Sequence, residues 1–328
     1  AFSMAATNGQ MTFTGAGDAS VAGRSGNDVI TGGAGDDAID GRGGNDAING
    51  GDGDDRLVDG IAGDSQGADT LNGGAGDDVI VAAFSSAGDV YNGGGDIDTI
   101  DFSLDASGAT NVLLGAAFTH FGASFDNFEN AIGTQGDDII IGSADANIVD
   151  GGAGADQIAG NGGADVLDGG AGDDNVTGGA GDDIISDLDF VAGAEGADSI
   201  DAGDDDDRVI VVGATAGDSY DGGQGIDLID IRSERQAYDG ANAIDLSGAS
   251  FTAHGATFAG FENAIGTIFG DVIVGGAATN SINGGSGDDM ITGGGAAETI
   301  LGGNGDDTII DGSANIAAGV DTIDAGAG

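Results

Sequence analysis

No cysteine, proline or tryptophan occurs anywhere in the 328 residues, and the only basic side chains besides two histidines are six arginines. Without cysteine the chain has neither disulfides nor thiolate metal sites, a composition that suits an extracellular bacterial protein. Without lysine it has no P-loop, which needs that residue on the phosphates. Six cations against 58 acids leave a net charge of −52, a surface that repels nucleic acid and anionic membranes. Apolar runs are short as well. The longest, from Val112 to Phe118, is broken by Gly115 and falls far below the ~20 residues of a membrane-spanning helix. No signal-peptide pattern stands at Ala1.

What is present is equally lopsided. Glycine numbers 71, and glutamate occurs only at 129, 195, 234, 262 and 298, so aspartate supplies the other 53 acids. Solubility alone would be served by either acid. A bias toward the shorter arm points to carboxylates held close to the backbone, as metal ligands are. Chains this acidic often stay disordered, but here the acid recurs between apolar residues along the whole length rather than in a block.

That recurrence is a nonapeptide, Gly-Gly-x-Gly-x-Asp-x-apolar-x. It appears in full at 32–40, 50–58, 73–81, 151–159, 169–177, 178–186, 222–230, 284–292 and 302–310. Relaxed copies fill the intervals at nine-residue spacing, for example at 23–31, 41–49, 93–101, 133–141, 142–150, 160–168, 266–274, 275–283 and 293–301. The eighth position is apolar throughout: Ile30, Ile39, Ile48, Leu57, Leu71, Ile80, Tyr91 and Ile100 in the first stretch. A slower period lies over the fast one. Tyr91-Asn-Gly-Gly returns as Tyr220-Asp-Gly-Gly, and Phe128-Glu-Asn-Ala-Ile-Gly-Thr returns unchanged from Phe261. The chain therefore divides into the end of a preceding unit (1–22), a unit over 23–132 with an insertion at 102–132, a second over 133–265 with an insertion at 231–265, and a third begun at 266–328.

Six glycine-rich positions predict a tight turn, and the three that follow predict a very short strand with one inward side chain. Two nonapeptides then make one flattened coil, with coils stacked at about 4.8 Å and strands paired in parallel. One inward apolar residue contributes about 1.5–3 kcal/mol, whereas ordering nine backbones costs roughly 9–18 kcal/mol. Stacking also sets each sixth-position aspartate against the next. A hard divalent cation between turns removes that repulsion, because Ca²⁺ takes six or more oxygens from carboxylates and carbonyls.

The pattern resembles the RTX nonapeptide repeat. The resemblance implies an all-β fold, a right-handed parallel β-roll in which several Ca²⁺ ions lie between adjacent turns. It assigns the bridging carboxylate to the sixth position: Asp28, Asp37, Asp46, Asp55, Asp78, Asp98, Asp138, Asp156, Asp165, Asp174, Asp183, Asp207, Asp227, Asp271, Asp289 and Asp307, with turn carbonyls completing each shell. Asp69, Asp89, Asp198, Asp218 and Asp321 take the same role after insertions. Departures occur at Asn147, Asn280 and Glu298 in the sixth position, and at Asp96 and Asp205 in the fourth; those turns are expected to bind calcium weakly or not at all. The fifth-position acids, such as Asp36 and Asp54, read as solvated charge.

No EF-hand loop closed by a twelfth-position glutamate and no His-Glu-x-x-His helix is present. His120 and His254 stand in equivalent insertions and read as repeated loop residues. The insertions are expected to continue the roll as calcium-free coils with Phe118, Phe121, Phe125, Phe128, Phe251, Phe258 and Phe261 as core. The expected function is non-enzymatic: a calcium-stabilised structural or adhesive segment of a secreted or cell-surface protein, of adhesin, surface-layer or filament type. The competing expectation is the carrier module of a secreted enzyme or toxin exported by type I secretion. Its expected partners are calcium ions and further copies of itself or a cell-surface component. Because 325–328 opens another nonapeptide and 13–21 reads as the degenerate end of an insertion, the chain is expected to be an internal segment of a longer rod or to have its ends covered.

Overall fold

The computed structural model describes residues 2–5, 10–12, 17–60, 67–83, 85–105, 108–188, 196–212, 214–231, 243–248, 250–253, 256–278, 280–310 and 321–327. Residues 13–16, His254 and Gly328, which figure in the expectations above, lie outside them. Strands of three to six residues make up the fold, with no helix among the described residues, and they build a parallel β-solenoid. Two compact units divide the chain, Ala1–Gly160 and Asn161–Gly328.

In the first unit one parallel sheet runs through Phe2–Ala5, Ala19–Ala22, Ala38–Asp40, Arg56–Val58, Val79–Val81, Thr99–Asp101, Asn130–Ile132 and Ile148–Asp150. A second, made of the alternate nonapeptides, runs through Gln10–Thr12, Val29–Ala34, Ala47–Asp52, Thr70–Ala75, Val90–Gly95 and Ala123–Asp126. Register follows the repeat: Ile30 pairs with Ile48, so one coil is two nonapeptides, and an insertion within a coil is absorbed without loss of phase, as where Ile48 pairs with Leu71. Four strands of the second sheet, Val29–Ala34, Ala47–Asp52, Thr70–Ala75 and Val90–Gly95, are longer than the three residues expected. They continue through the first three positions of the following repeat because its second glycine, such as Gly51 at φ 128°, carries the chain round without a side chain to obstruct the coil below.

The second unit repeats the plan. Val166–Asp168, Ile184–Leu188, Arg208–Val212, Leu228–Asp230, Asn263–Ile265, Ser281–Ser286, Thr299–Asn304 and Thr322–Asp324 form one parallel row. Asn175–Ala180, Ser199–Asp204, Ser219–Asp221 and Ala256–Ala259 form another.

Eighth-position side chains fill the narrow interior of each unit. Val21, Ile39, Leu57, Ile80 and Ile100 stack along one sheet and Ile30, Ile48, Leu71 and Tyr91 along the other, all buried. Parallel pairing places like over like, so the core is two apolar columns rather than a broad layer.

Both insertions join the roll, but not wholly as plain coils. Asn111–Leu113 pairs in parallel with Ile139–Ile141, and Ala243–Asp245 with Val272–Val274, continuing the stack. Phe118–His120 instead folds back antiparallel on Ala123–Asp126, and Ser250–Ala253 on Ala256–Ala259. These hairpins extend the aromatic column: Tyr91, Phe125 and Phe118 stack at 4.7 Å centroid spacing, and Tyr220, Phe258 and Phe251 at 4.9 Å. Phe121 departs from the expected core. It sits at the hairpin tip with φ 47° and is 56% exposed, because the reversal of the chain turns it away from the interior.

The column makes a sharp distinction between neighbours. Ile185, fully buried between Leu167 and Val209, should lose about 2–5 kcal/mol when changed to alanine, and exposed Ile184 well under about 1 kcal/mol. Denaturant unfolding of both variants in saturating calcium measures the difference; equal losses would contradict the inward assignment of the eighth position.

Candidate calcium-binding turns

The short strand that follows each turn anchors the sixth-position aspartate. Its carbonyl accepts a hydrogen bond from the seventh residue one coil on, as Asp37 does from Arg56 at 2.8 Å and Asp78 from Thr99 at 2.8 Å. Its own N–H donates to Oδ1 of the sixth-position aspartate of that next coil. Asp37 donates to Asp55 at 2.8 Å, Asp55 to Asp78 at 2.8 Å, Asp78 to Asp98 at 2.9 Å, Asp183 to Asp207 at 2.8 Å and Asp207 to Asp227 at 2.9 Å. A column of carboxylates is thus strapped to the backbone through one oxygen each.

The second oxygen is different. Oδ2 of Asp37, Asp46, Asp55, Asp78, Asp98, Asp183, Asp207, Asp227, Asp289 and Asp307 is shut off from solvent and meets no hydrogen-bond donor. In the repeats that begin with glycine it points across that first glycine; the repeat of Asp207 begins with Ala202 instead. A Cβ on Gly32 would fall within 3 Å of both Asp37 Oδ2 and the carbonyl oxygen of Gly50 in the next coil. Gly50, Gly73 and Gly284 stand in the same relation to Asp55, Asp78 and Asp289 and to the carbonyls of Gly73, Gly93 and Gly302. A carboxylate oxygen and a carbonyl oxygen therefore crowd one side-chain-free space with nothing positive between them. Such an arrangement is costly unless a proton or a cation occupies it. The donors are all hard oxygens in a chain without cysteine, and they fit Ca²⁺.

Burial shifts several carboxyls of the column upward, and the neighbouring carboxylates add to the effect while the backbone N–H bonds oppose it. Asp46, Asp78, Asp183, Asp227 and Asp289 rise to about 6. Asp55, Asp69, Asp98, Asp156, Asp198 and Asp207 rise to about 7.

The sixth positions are not alike. Asp28, Asp156, Asp165 and Asp174 are buried on the same ladder, with Asp28 donating to Asp46 at 2.8 Å, Asp165 to Asp183 at 2.8 Å and Asp174 to Asp198 at 2.8 Å. Asp156 accepts at 2.7 Å from Asp138. Asp321 is only half-buried and accepts from Glu298 at 3.2 Å. Asp138 and Asp271 are supplied with donors by the protein itself. A threonine in the second position, Thr134 or Thr267, gives each both an N–H bond of 2.6 Å and its hydroxyl. Asn147 and Asn280 place Oδ1 on the N–H of the second position and donate Nδ2 to the carbonyls of Glu129 and Glu262. The amide nitrogen takes the place of the strapped oxygen of other turns, and Oδ1 lies over the first glycine, Gly142 or Gly275, so these turns keep an oxygen there but no charge.

Four acids escaped the sequence reading. Glu129 and Glu262 accept the N–H of Asp98 at 2.9 Å and of Asp227 at 3.0 Å, standing in for the missing sixth-position aspartate with a longer arm. Their signal was the repeated Phe-Glu-Asn-Ala-Ile-Gly-Thr. Asp59 and Asp187 lie buried, each bonded to a buried tyrosine hydroxyl, Tyr91 (2.6 Å) and Tyr220. Carboxylate oxygens of Asp187, Asp198 and Asp218 lie within 4.8 Å of one another. Burial and the adjacent carboxylates drive both phenols far up, so they remain hydrogen-bond donors. Asp89 and Asp218 also accept N–H bonds in these clusters, Asp89 from Ser86 at 2.5 Å and from Asp69 at 2.8 Å, and Asp218 from Asp198 at 3.1 Å. The equal spacing of the tyrosines was the clue available.

The fifth-position acids do more than carry solvated charge. Asp36 accepts the N–H of Asp54 at 3.1 Å, Asp54 that of Asp77 at 2.9 Å and Asp173 that of Ala197 at 3.0 Å. They face solvent, yet each caps the turn one coil on. Elsewhere, His120 is buried with Nε2 3.7 Å from Asp105. Ser65 stands in a Gly-x-Ser-x-Gly spacing at 63–67; it lies outside the described residues, and no helix among those residues completes the strand–turn–helix that such a nucleophile needs.

Two outcomes follow for the turns. Asp183→Asn should raise the calcium midpoint of folding several-fold, because it removes the charge of a donor-less carboxylate oxygen beside the carbonyl of Ala202, whereas Asp182→Asn keeps the acceptor for Asp206 and should shift it little. Calcium titrations followed by circular dichroism compare them, and equal shifts would show that total charge rather than position governs binding. The second concerns pH. The unfolded carboxyls titrate near 3.8 and the eleven shifted ones named above at about 6 to 7, so the ion-free roll carries their full penalty above about 7. It should gain stability as pH falls through 7 to 4, and no more below that, while calcium affinity weakens over the same window as protons compete. Circular dichroism in EDTA from pH 8 to 4 reads the sign: β structure should appear as pH falls, and a chain no more ordered at pH 5 than at pH 8 would overturn it.

The RTX calcium-binding nonapeptide repeat, in its four-copy family form, matches residues 13–48, 22–57, 64–84, 126–158, 153–185, 187–211, 265–297 and 292–315, well over half of the chain. No curated protein matches it. Register of one coil per two nonapeptides, glycine-paved turns and a column of buried sixth-position aspartates agree with that match, and the chain belongs to the RTX calcium-binding nonapeptide-repeat family.

Proposed function

We propose that this chain is a calcium-assembled structural and adhesive segment of a secreted or cell-surface bacterial protein, of adhesin, surface-layer or filament type. The observation that carries the reading is the row of buried, donor-less Oδ2 atoms facing carbonyl oxygens across the first glycines. In it the sixth-position carboxylates and the facing carbonyls are the calcium ligands, and calcium supplies the attraction between successive turns. Proteins with RTX repeats are typically secreted, and their β-roll is a non-catalytic element. No helix of the described residues is long and apolar enough to cross a membrane.

A segment of this kind meets millimolar calcium only after export, so it stays unfolded where calcium is scarce and becomes rigid outside. The long repeat favours the structural role over the carrier module, since hairpin, tyrosine and aromatic column recur in both compact units as a spacer would require. Circular dichroism should show a largely disordered chain in EDTA at pH 7.5, β structure restored by millimolar Ca²⁺, and a poor response to Mg²⁺, which demands a tighter octahedron. An antibody against the chain should label intact producing cells or their medium, with label released by EDTA. A β spectrum indifferent to EDTA, or label confined to the cytosol, would sink the proposal.

A further inference from the structure

Within the second unit, an open groove of about 460 Å³ runs past Arg208, Asp230, Asn283 and Ser286 and continues into a second of about 500 Å³ that shares Asn283 and Gly285. Its floor is one register row across six successive strands: Ile210, Asp230, Ile265, Asn283, Leu301 and Asp324. At about 4.8 Å per strand the row spans roughly 24 Å. The groove is open because the second-position glycines beside it, Gly285, Gly303 and Gly326, present no side chain.

The chemistry of this groove differs from that of the rest of the surface. Its cation, Arg208, is 37% exposed and held by Asp230, whose side chain is 2% exposed, so the charge is neutralised from beneath. The guanidinium Nε is shut off from solvent, but the other guanidinium donors not used on Asp230, the Nδ2 of Asn283 and the Ser286 hydroxyl proton have no acceptor among the described residues. Aliphatic Ile268 and Leu301, both over 40% exposed, line the groove with these donors, Leu301 one strand beyond Asn283. Backbone donors along the groove are used: Ser286 bonds Thr267 at 3.0 Å, Gly287 bonds Asn304 at 2.7 Å, and Gly326 bonds Asp324 at 2.9 Å.

We infer that this groove binds a neutral, linear oligosaccharide. Hydroxyl and ring oxygens accept from the three unpaired donor groups, and the C–H faces of the sugar rings pack on Ile268 and Leu301. An added peptide strand needs a free backbone edge, and none runs along the groove. Anionic polymers are disfavoured by a chain of net charge −52 and by an arginine already paired. The inference deepens the adhesive reading and rests on it, since calcium must first fold the roll.

Calorimetric titration of the calcium-loaded 328-residue chain with maltotetraose, cellotetraose, chitotetraose and mannotetraose tests it, with tetragalacturonate and tetraglycine as the anionic and peptide arms. At least one neutral tetrasaccharide should bind, more tightly than its disaccharide. Asn283→Ala should weaken it roughly tenfold, as the loss of a well-made hydrogen bond does. Leu301→Asp, a change at an exposed site, should weaken it at least as much. Both variants should keep the parent's calcium midpoint, which reports folding separately. A chain that fails to fold with calcium defeats the proposed function. A folded chain that binds no neutral tetrasaccharide at millimolar concentration overturns the groove alone. So does one that prefers the anionic or peptide arm, or whose variants bind like the parent.

Discussion

Two oxygens meet at the first glycine of each repeat, one from the sixth-position carboxylate and one from the carbonyl of the next coil, and nothing in the protein separates them. Most of the architecture follows from that meeting. Glycine is favoured in the first position because a Cβ would crowd the space the carboxylate points into, and among the repeats with an unmet oxygen only that of Asp207 has alanine there, Ala202. Aspartate is required in the sixth because its short arm reaches that space while its other oxygen takes the N–H of the preceding coil. Once ionised, the column can stand only with a counter-charge inside it, since the apolar interior of two narrow columns is too small to offset the repulsion. In the function proposed above, calcium binding and folding become one equilibrium.

The column is not uniform, and its exceptions are ordered. Where the chain returns from each insertion, over 133–150 and again over 266–283, threonines and asparagines provide the donors that other turns lack. At the same places the interior is widest in aromatic content, with stacked rings and hairpins beside the roll. Hydrogen bonds and aromatic packing take over there from the ion. A roll with ion-dependent stretches joined by self-sufficient ones should lose structure in segments as calcium is withdrawn, the insertion-proximal coils last.

A regular outer surface results from the same parallel register. Residues in equal positions form straight rows, so the asparagines Asn49, Asn72, Asn92 and Asn127 make a hydrogen-bonded ladder at 2.6–2.7 Å, and the fifth-position acids make another. Rows of this kind present the same chemistry at a fixed spacing over tens of ångströms. That geometry suits extended ligands better than compact ones.

Much of this was legible in the residues alone. Position eight had to point inward and position six had to gather oxygen, because a strict nine-residue period leaves each position one environment. The coil of two nonapeptides and the parallel pairing follow from the same period. Other features depended on contacts between residues far apart in the chain. Phe121 reads like Phe125 but lies outside, since a hairpin reversal decides which aromatic faces the core. Glu129 and Glu262 hold sixth-position roles without the motif, because the length of a side chain can replace its place in the repeat only when the coil below is in position. Asp138 reads as an ordinary sixth-position ligand and Asn147 as a departure, yet both find partners within the protein, Asp138 the donors of Thr134 and Asn147 the carbonyl of Glu129. Periodicity determines where each side chain is aimed. Which atom it meets there is decided only when the next coil is laid on top.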